Sequence, residues 1–228
     1  MPSRRVMPCM AALPDGTYLI ANGAKQGVAG FGLSDFPNLD ALLYDTSKPV
    51  GQRISDMANT TVVCLYHSKA LTLLDGRVFI TGSNPQQQDG KFPQEYCIEV
   101  FMPLYLLSGL PCPTFDLTNR DWTYGQVVSF TLTSGSTANL RASIAGADSR
   151  THGNLIGQRT ISPDVSCAGN TCTVIVPPSA HVALPGWHKF FVLDGPTPSV
   201  VVHIHLHGDP AAIDNWPSDP KNAPLPGI

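Results

Sequence analysis

Three groups of side chains in this 228-residue sequence carry residue types suited to metal or acid–base chemistry. The first is the dipeptide Tyr66-His67 within Val62-Val63-Cys64-Leu65-Tyr66-His67-Ser68. A phenolate oxygen beside an imidazole nitrogen suits Cu(II), which favours nitrogen and oxygen donors in tetragonal geometry. Neighbours on a regular strand point to opposite faces, so both side chains reach one ion only if the backbone bends or bulges there. Taken alone, the dipeptide reads more readily as a core tyrosine beside a hydrogen-bonded histidine.

The second is His152, in the polar, glycine-bearing loop from Asp148 to Arg159. Loops of this kind often carry function, although a single loop histidine is usually just solvated. The third is the alternating set His203, His205 and His207, which share one face if the segment is a strand. A metal centre built on them wants an acidic partner downstream, and no glutamate follows Glu99. The set therefore reads as a solvent-facing stripe able to pick up zinc or nickel adventitiously. His181 and His188 show no partner pattern.

Other chemistries find little support. No glycine-rich phosphate loop, Gly-x-Ser-x-Gly elbow or Cys-x-x-Cys pair is present. Glu95 and Glu99 are the only glutamates, which leaves no evident carboxylate pair for glycoside hydrolysis. Charged residues make up 14% of the chain and the net charge is -3, too little positive charge to court nucleic acid. No apolar run nears the roughly 20 residues that cross a bilayer, and a membrane partner is not expected. Six cysteines allow disulfides and an oxidising compartment without requiring either. Cys167 and Cys172, separated by Ala-Gly-Asn-Thr, form either a local bridge across a turn or two ordinary thiols.

The elements that must position these residues are strands. With 20 glycines and 21 prolines the chain suits an all-β, turn-rich fold. Ala12-Leu13-Pro14-Asp15-Gly16-Thr17-Tyr18-Leu19-Ile20 is echoed by Thr72-Leu73-Leu74-Asp75-Gly76-Arg77-Val78-Phe79-Ile80, and each Asp-Gly lies between two alternating apolar runs. That predicts two hairpins with tight primed turns. A further strand follows each, at 41–45 and 97–101, so each unit reads as one blade of a β-propeller. Two blades cannot close a ring, and the chain reads as the tail of a larger propeller. Beyond Leu107 the spacing of strands at 126–132, 140–145, 173–176, 189–194 and 199–206 predicts a β-sandwich of immunoglobulin type. The expected division is residues 1–107 in propeller blades, 108–207 in the sandwich and 208–228 as a Pro-rich tail.

Tyr66-His67-Ser68 followed by Leu73-Leu74-Asp75-Gly76-Arg77-Val78-Phe79 resembles the blade of the galactose oxidase and glyoxal oxidase family that supplies copper with an axial tyrosine and a histidine. Glu99-Val100-Phe101-Met102-Pro103-Leu104-Tyr105-Leu106 resembles that family's exit from the propeller. Val182-Ala183-Leu184-Pro185-Gly186-Trp187 resembles a motif of its C-terminal sandwich. Thr151-His152 ahead of Gln158-Arg159 fits the sandwich loop that delivers a second histidine to the propeller axis. Gly82-Ser83-Asn84-Pro85 is closer to glyoxal oxidases than to galactose oxidase. The stretch Lys25 to Phe31 resembles a substrate-lining loop, with Phe31 one residue away from the family's aromatic position.

The resemblance implies the terminal blades of a kelch-like, seven-bladed β-propeller followed by an immunoglobulin-like early-set β-sandwich. It implies Tyr66, His67 and His152 as ligands of Cu(2+), with Tyr66 axial and acting as the base. It also implies a secreted, monomeric oxidase of small aldehydes or alcohols that uses O2 and yields H2O2. The family's second tyrosine, cross-linked to a cysteine as the radical cofactor, is expected in N-terminal blades outside this sequence. Cys9 and Cys64 do not match that cysteine, so the chain alone is expected to be inactive. The alternative is a non-catalytic propeller and sandwich protein that binds glycans or a protein partner.

Overall fold

A computed structural model describes residues 1–86, 90–151, 154–157 and 159–206. Among them the only helical segment is the short 3-10 turn Leu104–Leu106; everything else regular is β.

The first unit opens with β1 (Cys9–Ala12) and β2 (Tyr18–Ala21), paired antiparallel with Ala12 opposite Tyr18. A side hairpin of β3 (Ala24–Gly27) and β4 (Ser34–Pro37) follows. Then β5 (Leu42–Tyr44) and β6 (Ile54–Asp56) complete a four-stranded sheet in the order β1-β2-β5-β6. The second unit is a three-stranded sheet of β7 (Lys69–Thr72), β8 (Val78–Ser83) and β9 (Glu95–Phe101). Both are the antiparallel, blade-like sheets that the repeat predicts.

The turn type differs from the prediction. In the first hairpin the Gly16 N–H donates to the Leu13 carbonyl at 3.1 Å and Leu13 N–H to Thr17 at 2.8 Å. The second repeats this with Gly76 to Leu73 at 3.1 Å and Leu73 to Arg77 at 2.7 Å. Only the glycines take positive φ, 92° at Gly16 and 84° at Gly76. Each connection is therefore a β-turn closed by a left-handed glycine, the three-residue hairpin pattern, and not a two-residue primed turn. Asp15 and Asp75 keep negative φ because their carboxylates are used elsewhere, each accepting the N–H two residues on.

Alternation fixes which faces are buried. On β7 the residues Ala70 and Thr72 face inward, and on β8 Val78 and Ile80 do so. They join Cys9, Ala11, Leu13, Leu19 and Tyr105 in one core. The small side chains on β1 and β7 let these two strands lie close beside each other, as the inner strands of adjacent blades must.

The second core belongs to a sandwich. Its strands are β10 (Thr114–Asp116), β11 (Asp121–Trp122), β12 (Val127–Ser134), β13 (Leu140–Gly146), β14 (Ser149–Thr151), β15 (Asn154–Ile156), β16 (Thr160–Ile161), β17 (Val165–Ala168), β18 (Thr171–Ile175), β19 (Gly186–Asp194), β20 (Thr197–Pro198) and β21 (Val202–Leu206). One sheet runs β10-β12-β18-β17 and the other β11-β21-β19-β13-β16. Val128, Phe130 and Leu132 alternate inward from β12 and meet Ile144, Phe190, Val192 and Ile204 of the facing sheet. Phe190 stands nearly perpendicular to both Trp122 and Phe115, with centroids 5.1 and 5.6 Å away. Each such ring buried contributes about 1.5–3 kcal/mol by its area alone. Cys167 and Cys172 are disulfide-bonded between β17 and β18, which decides between the two readings of that pair. The segment 208–228, read as a tail, lies outside the described residues, as does His207.

Candidate metal centre

Tyr66 and His67 are not on a strand. They form a bend two residues ahead of β7, and His67 takes a left-handed backbone with φ 57°. That conformation is uncommon for a side-chain-bearing residue and cancels the alternation that would point the two rings apart. The rings instead stack, centroids 3.8 Å apart and planes 21° from parallel. The bend expected from the sequence is thus a single left-handed residue.

The surrounding strands hold this bend. The buried Ser83 hydroxyl, at the end of β8, accepts the backbone N–H groups of Leu65 at 3.0 Å and Tyr66 at 3.3 Å. Asn84 N–H donates to the Tyr66 carbonyl at 2.9 Å. On the other side the Cys9 thiol of β1 donates to the Ser68 carbonyl at 2.9 Å, and Gly23 N–H donates to Cys64 at 2.9 Å. Both blades therefore grip the segment. His67 is exposed and Tyr66 half-buried, so the pair is open to small molecules.

A neutral imidazole and a phenol presented from one bend fit the nitrogen and oxygen donor set that Cu(II) prefers. Among the described residues no three His, Cys, Asp or Glu side chains cluster closely enough to hold a metal ion by themselves. A copper centre at Tyr66-His67 needs a donor from another segment.

The segment that sequence reasoning nominates is the His152 loop. His152 itself lies outside the described residues, as does Gln158. Its flanks are described: β14 and β15 pair antiparallel, with Thr151 opposite Asn154. Although it belongs to the sandwich, this hairpin crosses to the blades, where β15 lies against β1. Arg159 anchors the exit of the hairpin, its guanidinium donating to the carbonyls of His181 at 2.6 Å and Val182 at 3.0 Å.

The histidine stripe is corrected. His203 is exposed, but His205 is buried at 7% exposure and is not solvent-facing. The reason is β11, which pairs parallel to β21 and brings Asp121 to 3.4 Å from His205 Nδ1, while the Trp187 ring lies 4.9 Å away. His188 is also buried, with Nδ1 3.0 Å from the Gly186 carbonyl, and burial pushes its pKa below the ordinary value. His188 and His205 pack within the sandwich, on the adjacent strands β19 and β21.

Burial, then the nearby Glu99 and Glu95, push the Cys64 thiol up to about 12. Sequence reasoning missed Ser83, Ser68 and Cys9 as supports. Ser83 was visible only as part of Gly82-Ser83-Asn84-Pro85, and nothing in the pattern tells that its hydroxyl turns back to the bend.

Comparison with known proteins places these features in a family. Residues 1–105 match the glyoxal oxidase N-terminus model, and residues 112–206 match the galactose oxidase-like early set domain. A WSC domain-containing protein of Arthroderma benhamiae is 54% identical over the whole chain, which spans 24% of that relative. Aldehyde oxidase GLOX1 of Arabidopsis thaliana is 34% identical over 90% of the chain and 36% of its own length. A solved fungal alcohol oxidase in complex with copper shares the fold with a TM-score of 0.76 at 20% identity, covering 88% of this chain and 42% of that one. The chain thus spans well under half of the relatives it matches. No helix among the described residues is long and apolar enough to cross a membrane.

Proposed function

The chain belongs to the galactose oxidase and glyoxal oxidase family of copper radical oxidases, and on that premise we propose that Tyr66, His67 and His152 bind a single Cu(2+) in an oxidase of small aldehydes or alcohols. The reaction is the two-electron oxidation of an aldehyde hydrate to a carboxylic acid, or of an alcohol to an aldehyde, with O2 reduced to H2O2. The observation that carries this reading is the stacked Tyr66-His67 pair on its left-handed bend, because it presents one oxygen and one nitrogen donor from adjacent residues.

In this reading His67 holds the metal from the blade and His152 holds it from the sandwich hairpin. Tyr66 binds through its phenol oxygen and takes the proton of the substrate hydroxyl, for which its half-buried position leaves room. Bound copper supplies one-electron redox chemistry, and a cross-linked tyrosine–cysteine pair supplies the second electron's acceptor. Neither Cys9, buried against Ser68, nor Cys64, with its raised thiol pKa, suits that cross-link. The radical pair is assigned to blades other than these two, and the 228 residues alone are inactive. The Cys167–Cys172 disulfide suits the oxidising compartment of a secreted protein.

Copper titration followed by electron paramagnetic resonance tests the ligand set. His67→Ala and His152→Ala each weaken Cu(II) binding and remove nitrogen hyperfine structure, while His205→Ala binds as the parent does. Loss of binding in His205→Ala alone overturns the assignment. Peroxide production from methylglyoxal by the isolated, copper-loaded chain overturns its dependence on further blades.

A further inference from the structure

Lys189 sits on β19 between the buried His188 and Phe190, with only 3% of its own surface exposed. A buried ammonium is costly unless it is paired and fully hydrogen-bonded. Here it is paired and makes two hydrogen bonds: Nζ donates to the Thr72 carbonyl at 3.0 Å and to Asp148 Oδ2 at 2.8 Å. The two acceptors belong to different parts of the fold. Thr72 closes β7, the inner strand that starts just after Tyr66-His67. Asp148 immediately precedes β14, the first arm of the sandwich hairpin whose connection contains His152.

One ammonium therefore ties the strand leading away from the first two proposed ligands to the base of the hairpin that carries the third. The link continues inward, since the Thr72 hydroxyl donates to the Ala12 carbonyl at 2.5 Å and so reaches β1, against which β15 lies. A second hydrogen bond close to this boundary, Val201 N–H to the Leu74 carbonyl at 2.8 Å, lies beyond Thr72 in the turn.

We propose that Lys189 is a positioning residue that seats the β14–β15 hairpin, the part of the sandwich whose sequence contains His152, against the inner strands of the blades. The proposal rests on the reading of His152 as a copper ligand, and adds to it the group that fixes the hairpin's approach. Lysine suits the task because its flexible stem crosses the boundary between the two cores while its head satisfies an acceptor on each side.

The test uses the 228-residue chain and the variants Lys189→Met, Asp148→Asn and His152→Ala. Asp148 keeps 20% of its side chain exposed, so Asp148→Asn breaks the pair without leaving a cavity and carries the test if Lys189→Met does not fold. In metal-free protein, amide hydrogen exchange across 149–151 and 154–157 rises at least about tenfold in either pair variant, while β12 and β18 keep their protection. Cu(II) affinity falls about tenfold in each, as expected when a supporting residue is removed. Combining either with His152→Ala brings no further loss. Exchange that rises equally throughout the sandwich, or hairpin exchange that stays at the parent level, overturns the proposal. A His152→Ala variant that binds copper as tightly as the parent overturns the ligand reading instead, and the metal-free exchange result still decides the role of Lys189.

Discussion

The ring of Phe31 stands at 79° to that of Tyr66 with centroids 5.6 Å apart, and at 83° to His67 with 6.1 Å between them. A loop of the first blade thus walls the stacked pair of the second. The loop is held there by the Gly32 N–H, which donates to Pro85 at 2.7 Å, and by Gly27, where a Cβ would collide with the Leu33 carbonyl. Perpendicular aromatic contacts of this kind contribute about 0.5–1.5 kcal/mol each. Phe31 is mostly exposed, so Phe31→Ala should change folding stability by less than about 1 kcal/mol. It should nonetheless free the Tyr66 ring, seen as averaged ring-proton shifts in NMR. Unchanged Tyr66 shifts would show that the wall does not restrain it.

Ser83→Ala removes the acceptor of two backbone N–H groups, one of them on the buried Leu65. The expected loss is about 1–3 kcal/mol in denaturant unfolding. Exchange of the Leu65 and Tyr66 amides should accelerate first. If those amides keep their protection, the hydroxyl is not what holds the bend.

Gly16 and Gly76 hold equivalent turns in different surroundings. A Cβ at Gly16 meets nothing, whereas one at Gly76 comes within 3.1 Å of Pro198 Cγ and 3.3 Å of the Tyr105 ring. Gly16→Ala should cost about 1–2 kcal/mol for the left-handed backbone alone. Gly76→Ala should cost measurably more, because it also presses on the contact between blade and sandwich. Equal melting temperatures for the two variants would exclude that contact as a constraint.

Thiol labelling should divide the four free cysteines by burial. In native protein at pH 8 the exposed Cys112 should react first. Cys97, also exposed, should follow more slowly, since its hydrogen bond with Glu95 pushes its pKa up. Cys9 and Cys64 should label only after unfolding. Native labelling of Cys64 at the rate of Cys112 would contradict its elevated pKa.

His188 links the sandwich to pH. Its folded pKa is held down by burial, so the unfolded chain binds the proton more readily. Its contribution is complete above the unfolded value near 6.5, erodes as pH falls below that, and stops changing below the folded value. His188→Gln should flatten the stability profile across that window in urea titrations. A profile as steep as the parent's would assign the slope to other groups.

Much of the fold could be read from the chain because alternation and turn chemistry are local. The two Asp-Gly hairpins and the inward residues of β12 announce themselves at period two, and β19 announces itself by the unbroken apolar run at 190–193, buried on both faces. The strands β11, β14, β15 and β16 do not, being two or three residues long, too short for a pattern to repeat. That gap explains the error at His205, since the alternation correctly grouped it with His203 but gave no sign that β11 would cover it.

By itself the sequence determined that the protein is all-β and that two blade-like units precede a sandwich, because these rest on composition, spacing and contiguous motifs, while the resemblance to a known family is what singled out Tyr66, His67 and His152. Only the tertiary structure decided how Tyr66 and His67 come to face the same way and which residues link the sandwich to the inner strands of the blades. The left-handed φ of His67, the turned-back hydroxyl of Ser83 and the ammonium of Lys189 bridging Thr72 to Asp148 join residues 17 to 117 positions apart or depend on a strained backbone angle. Such contacts are made when separate strands pack, and no local pattern encodes them.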